Sequence, residues 1–299
     1  MNTRSLAALG VLGLVALAGC AAPADNSAQS ASPNAASSSE CSTGSLQTVA
    51  DGSLTIATDK PAYPPYFEDD DPSNGKGFES AVAYAVAGKL GYATEDVKWV
   101  TEPFNKSYAP GEKDFDFDIN QISITPKRAQ AVDFSEGYYT VNQAVVALND
   151  SPIANATSIE ELKTAKLGAQ VGTTSLDFIN EVVQPDTEPM VYNDTNDAKS
   201  ALEANQIDGI VVDLPTAYYV TAAEFKDAKI VGQFQPDGTG EQFGLLMQKG
   251  TPIKNCVDWA VQELKESGEL QKIQDQWLAG EDAPYFTGQE GESASPAAS

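Results

Sequence analysis

The chain has 299 residues with 43 acidic against 18 basic side chains, a formal net charge of −25, and no histidine. So large an acid surplus excludes nucleic acid as a partner, because neutralising phosphates takes clustered lysine and arginine. The missing imidazole excludes Ser-His-Asp and Cys-His catalysis and the usual zinc ligands, so an enzyme here would work through Asp, Glu, Lys or Tyr alone.

Met1–Arg4 is a short positive segment, Leu6–Leu17 an apolar run, and Leu17-Ala18-Gly19-Cys20 closes it. This is the anatomy of a targeting peptide (residues 1–19), too short to span a bilayer comfortably. The closing tetrapeptide resembles a bacterial lipobox, which implies cleavage before Cys20 and acylation of its thiol, hence a chain held at the extracytoplasmic face of the membrane by lipid alone. Residues 20–45 are mostly Ala and Ser and bury too little apolar surface to order themselves, so they read as a flexible stalk. Residues 287–299 have the same character and are expected to be disordered.

Between these ends the elements alternate. A buried strand over Ser53–Thr58 leads into Asp59 and a loop carrying Tyr63. A helix over Phe78–Leu90 follows, with Phe78, Val82, Val86 and Leu90 on one face. Val97–Thr101 is a second strand, and Phe104–Pro110 an irregular connection. Tyr138–Leu148 is long and apolar, suited to a strand passing from one domain to another. Ser158–Glu161 is a capping box. Lys166–Val171, Met190–Tyr192 and Gly209–Val212 are strands, each followed by a helix, starting at Gly172-Thr173-Thr174, Asp197 and Pro215 respectively. A strand over Phe243–Gln248 and two last helices end the pattern. The order argues for α/β sheets of parallel strands, doubly wound with helices on both faces. With crossings expected only at Tyr138–Leu148 and Gly232–Phe243, one lobe combines 46–141 with 243–286 and the other holds 142–242.

Arg128 stands apart. The chain has only two arginines, Arg4 in the leader and Arg128, against sixteen lysines. Arg128 follows a short strand (Ile119, Ile122, Ile124) and Thr125-Pro126, which read as an N-cap and the first position of a short helix. A cation in a first helical turn opposes the helix dipole unless an anion sits there too. A single arginine where lysine serves elsewhere points to bidentate recognition of a carboxylate. Of the three cysteines, Cys20 goes to lipid, and in an oxidising compartment Cys41 and Cys256 either pair or remain free thiols. The acidic run Glu68–Asp71 lacks the glycine and glutamate of a calcium loop, so no metal and no cofactor is expected.

In order, Tyr63-Pro-Pro-Tyr66, Gly77-Phe-Glu79, Ile124-Thr-Pro-Lys-Arg128, Val132-Asp-Phe-Ser135, Gly172-Thr-Thr174 and Ile207-Asp-Gly-Ile-Val-Val-Asp213 resemble the family 3 extracellular solute-binding proteins. The resemblance covers about residues 50 to 280 and implies a two-lobed type II periplasmic-binding-protein-like fold with an L-amino acid in the cleft. It implies delivery of that ligand to the permease subunits of an ABC importer, by a monomer. Carried onto this chain, Arg128 takes the ligand's α-carboxylate with Thr173 or Thr174, and Ser123 contacts the same group. The backbone of Gln121 and the Asp213 carboxylate take the α-ammonium, with Tyr63 and Phe104 as aromatic walls. Asn120 and Gln121 depart from the small residues common at these positions. Asp213 could instead cap the following helix, and the two aromatics could be core. An acidic ligand would need a second cation, whereas Asp59 and Glu68 favour a polar neutral or cationic side chain. Two other readings share the scaffold: a dehydratase-like enzyme using Glu79, Asp59 or a lysine, and the sensory subunit of a signalling system.

Overall fold

The computed structural model describes residues 41–236, 240–278 and 283–289, all within one compact unit, Ala35–Ser299. The leader, Arg4, the lipobox Cys20, most of the stalk and the tail beyond 289 lie outside the described residues. Among those described, no helix is long and apolar enough to cross a membrane.

Two five-stranded sheets organise the chain. The first holds β1 (Leu54–Thr58), β2 (Val97–Thr101), β3 (Phe117–Asp118), β4 (Val132–Phe134) and, from late in the sequence, β12 (Leu246–Gln248), in the order β2-β1-β3-β12-β4. The second holds β6 (Gln143–Leu148), β7 (Leu167–Gln170), β8 (Met190–Tyr192), β9 (Gly209–Asp213) and β10 (Ala228–Gln233), in the order β10-β6-β9-β7-β8. Between them β5 (Tyr139–Val141) and β11 (Glu241–Phe243) pair as a two-stranded antiparallel ribbon. Neither sheet is wholly parallel, which corrects the expectation from strand–helix alternation. β12 runs antiparallel to β3 and β4, and β6 antiparallel to β9 and β10. These are strands entered from the ribbon, so they run against those wound in through helices.

The helices bury the stripes their sequences carry. In the first lobe α1 (Phe78–Lys89) sets Phe78, Val82 and Val86 against α6 (Lys254–Glu266) and α7 (Glu269–Trp277). Each such side chain is worth about 1.5–3 kcal/mol in burial. Gly77, before α1, has φ +95, and a Cβ there would lie 2.4 Å from the Tyr66 carbonyl oxygen. That close approach docks the Tyr63–Tyr66 loop onto the helix start. The wall segment is a four-residue helix, α2 (Phe104–Ser107), where an irregular connection is expected. In the second lobe α3 (Thr174–Phe178) and α5 (Leu214–Tyr219) each run on into a wider π-type turn, while α4 (Thr195–Glu203) is capped by Asp194.

Several boundaries differ from expectation. The long strand breaks at Asn142 into β5 and β6, and the Phe243–Gln248 strand is divided by Gly244 between β11 and β12. Glu161 does accept from Thr157 N and Ser158 N, at 2.7 and 3.1 Å, yet only the 3-10 turn Glu160–Leu162 follows. Residues 283–289 pack on the second lobe, not the first: Ala283 and Phe286 join its core, and Thr287 N donates to Thr157 O at 3.0 Å. The chain therefore crosses between lobes a third time, after α7, and residues 287–289 are anchored where a disordered tail is expected. Cys41 and Cys256 are joined as a disulfide with their Cα atoms 5.2 Å apart.

Candidate functional site

A solvent-open cleft lies between the lobes. Asp59, Tyr63, Phe104, Asn120, Gln121 and Arg128 line it from the first lobe. Gln170, Thr173, Thr174, Ser175, Thr195, Asp213 and Thr216 line it from the second. These positions cluster beyond the carboxyl ends of β1, β7 and β9, where ligands of α/β sheets sit. Ser123, fully buried, borders them through its side-chain bonds.

The turn carrying Arg128 is not the helix its sequence suggests but a single 3-10 turn, Arg128–Gln130. Thr125 still behaves as a cap, its Oγ1 accepting from Arg128 N at 3.1 Å. Arg128 is 8% exposed, and its guanidinium carbon lies 5.4 Å from the Phe104 ring centroid and 4.8 Å from that of Tyr108. Its Nη1 donates to Ser123 O at 2.8 Å, and its Nη2 reaches across the cleft to Gly172 O at 2.9 Å. Burial pulls its pKa down, against the fields of Tyr108, Glu241, Asp177 and Asp213. Among the described residues no carboxylate forms an ion pair with it. A buried cation whose remaining N–H groups have no anion is a receptor for one. Gly172, φ +75, is where the lobes touch: a Cβ there would stand 2.2 Å from Asn105 Oδ1.

On the second lobe, Thr173 and Thr174 separate in role. Thr173 spends its hydroxyl locally, accepting from Leu176 N at 3.2 Å and donating to Gln170 O at 2.7 Å as the N-cap of α3. Thr174 faces inward, its Oγ1 donating to Glu241 at 2.5 Å. Asp213 makes no side-chain cap to α5, which removes the helix-capping alternative. Its Oδ1 accepts from Gln143 Nε2 at 2.6 Å, and burial with Glu241 nearby holds its carboxyl well above the usual range.

Asp59 anchors the wall: its Oδ2 accepts from Phe104 N at 3.1 Å. Tyr63 sits under Lys199 of the second lobe, 5.6 Å from the ring centroid, and burial raises its phenol pKa. The Asn120 amide nitrogen is buried without a partner among the described residues. Gln121 takes φ +47, a left-handed conformation costly for a residue with a Cβ. Glu79 holds it there: that carboxylate accepts from Gln121 N at 2.7 Å, from Gln121 Nε2 and from the Tyr138 hydroxyl.

Glu79 is fully buried, and desolvation outweighs these three donors, pushing its pKa from 4.5 up to about 7. Between those values the folded state keeps a proton that the unfolded chain has released. Stability from this group is therefore present below pH 4.5 and lost as pH rises to about 7, on the order of 3 kcal/mol. Asp118 and Asp213 are raised as well and act in the same sense. The melting temperature is expected to fall across pH 4.5–7, and Glu79→Gln to flatten that slope without abolishing it. An identical slope in the variant would remove Glu79 as its source.

Residues that sequence reading missed are Tyr108, Gln143, Gln170, Thr195, Thr216 and Glu241. Gln143 had a signal, a polar residue heading an otherwise apolar strand; the others had none.

Two mixed α/β lobes joined by a ribbon, closing an acid and a buried arginine onto one cleft, define a ligand-binding clamp. The sequence pattern of the bacterial extracellular solute-binding proteins, family 3, matches residues 54–280. The chain belongs to that family. It is 28% identical over 228 residues to the arginine-binding extracellular protein ArtP of Bacillus subtilis (strain 168), covering 72% of this chain and 82% of that one. A solved ancestral arginine-binding protein bound to arginine superimposes with a TM-score of 0.64 at 29% identity, over 76% of this chain and 99% of the other. The ancestral amino acid-binding protein AncCDT-1, described as a precursor of cyclohexadienyl dehydratase, gives 0.63 at 28% identity, over 76% and 95%.

Proposed function

We propose that this protein is a lipid-anchored extracytoplasmic receptor that binds an L-amino acid between its lobes and delivers it to an ABC importer. Cys20 carries the anchor and the protein acts as a monomer. Arg128 carries the reading: it is buried against two aromatic rings, and among the described residues no carboxylate pairs with its remaining N–H groups. The ligand's carboxylate supplies that anion, and Asp213 from the opposite lobe takes the ammonium, so one zwitterion bridges both halves and favours closure. In the cleft lining Asp59 and Asp213 outnumber Arg128, with Glu241 behind Thr174 adding to the negative charge, which favours a cationic side chain, and relatives named for arginine lean the same way. Tyr63 and Phe104 wall that side chain.

The protein is not an enzyme on this reading. Glu79, the buried acid with a pKa near neutrality, is enclosed by Gln121 and Tyr138 and does not line the cleft. Calorimetric titration with the twenty amino acids is expected to return at least one micromolar ligand, arginine or lysine first. If no amino acid binds, the proposal fails.

A further inference from the structure

The hinge strand sets a carboxylate, Glu241, behind the cleft, against the hydroxyl of its lining residue Thr174. β11 runs directly behind Ser123: Ile124 N donates to Gln242 O at 2.8 Å, and Ser123 bridges Phe243. From this strand the Glu241 carboxylate reaches three groups. Its Oε1 accepts the hydroxyl protons of Ser123 and of Thr174, the latter at 2.5 Å, and its Oε2 accepts Gln143 Nε2 at 3.0 Å. The same Gln143 nitrogen donates to Asp213, and Gln143 Oε1 accepts from Ser175 Oγ at 2.6 Å, so the amide cannot turn over.

A hydroxyl has one proton to give and lone pairs to offer. With those protons on Glu241, Ser123 and Thr174 can show the cleft only lone pairs. Such oxygens, beside Asp213, repel a carboxylate and attract an ammonium. This reverses the polarity that the resemblance assigned to Ser123 and Thr174, both placed there on the ligand's carboxylate.

Resting on the amino-acid-receptor reading, we propose that Glu241 is a specificity-determining residue that acts by positioning. By taking the protons of Ser123 and Thr174 it makes that end of the cleft an ammonium subsite, leaving Arg128 as the carboxylate subsite. The ligand's orientation and the demand for an α-amine are thereby set from the hinge. A carboxamide at 241 offers one acceptor and one donor where the carboxylate offers two acceptors. Its oxygen must face Gln143 Nε2, which can only donate, so its NH2 meets Ser123 and Thr174 and their hydroxyl protons turn away from residue 241.

The test uses the full chain, wild type and Glu241→Gln, with Glu241→Ala as a second variant and melting curves to confirm folding. Each is titrated with the best-binding amino acid, its deaminated acid and its decarboxylated amine; for L-arginine these are 5-guanidinopentanoate and agmatine. Wild type is expected to reject the deaminated acid by about 100-fold, since an ammonium subsite left unfilled strands buried acceptors. In Glu241→Gln that rejection is expected to shrink below about 10-fold while rejection of the amine stays within about threefold of wild type. Parallel loss of both discriminations means a merely structural hinge residue and overturns the proposal, as does an unchanged preference. Should no amino acid bind wild type, the receptor reading itself fails, an outcome distinct from either.

Discussion

Replacing Arg128 with lysine is expected to weaken amino-acid binding by about ten- to a hundred-fold, or roughly 1.5–3 kcal/mol. Charge is conserved, so the loss isolates geometry. The guanidinium packs beside the Phe104 and Tyr108 rings and already spends Nη1 and Nη2 protons on the carbonyls of Ser123 and Gly172. Its remaining N–H groups keep a fixed plane in which two carboxylate oxygens can be met together. An ammonium has no plane, stacks less well, and can satisfy either the carbonyls or the ligand but not all of them. The bond to Gly172 adds a second consequence, because it ties the two lobes to each other. The lysine variant is therefore expected to be more open in small-angle scattering without ligand, and to close less completely with it. Equal affinity for wild type and variant, measured by calorimetry on samples with matching melting curves, would falsify the carboxylate role.

How much of this was legible beforehand depended on how local the signal was. Arg128 could be found because no other arginine occurs among the described residues and because Thr125-Pro126 marks a turn. Its burial against Phe104 and Tyr108 could not, since those rings come from another loop. Strand positions followed from apolar runs, whereas strand direction did not. Nothing in Leu246–Gln248 says that it enters the sheet between β3 and β4 against their direction. The unusual Asn120-Gln121 pair was visible as a departure, yet its resolution lies 42 residues away, in the Glu79 carboxylate that supports the left-handed backbone of Gln121. Thr173 and Thr174 are indistinguishable in sequence; only the turn shows that one caps and the other faces the cleft. Glu241 sits in a three-residue strand with no periodicity to read. Its importance comes entirely from two oxygens placed where hinge, first lobe and second lobe meet.

The largest expected effect on stability lies far from the cleft. Removing the Cys41–Cys256 bond, by Cys41→Ser with Cys256→Ser, is expected to cost about 2–5 kcal/mol. The two cysteines are 215 residues apart, so the bond closes a loop holding nearly all of both lobes. In the chain-entropy view such a loop restricts the unfolded ensemble by about 5 kcal/mol, an upper figure that strain and residual structure reduce. The native side of the balance is favourable too, for Cys41 and Cys256 are both buried in the first lobe's core against α1 and α6. Without the bond, the segment before β1 keeps only a few anchors, such as Val49 N to Asp116 Oδ1 at 2.8 Å. The double variant, or wild type under reductant, is expected to melt about 10 °C lower, taking roughly 2–4 °C per kcal/mol at this size. Neither cysteine lines the cleft, so amino-acid affinity at 25 °C should stay within about threefold of wild type while the fold survives. An unchanged melting temperature in the double variant would show that the bond adds nothing to the folded chain's advantage. A large affinity loss at unchanged melting temperature would show instead that the first lobe's core communicates with the cleft.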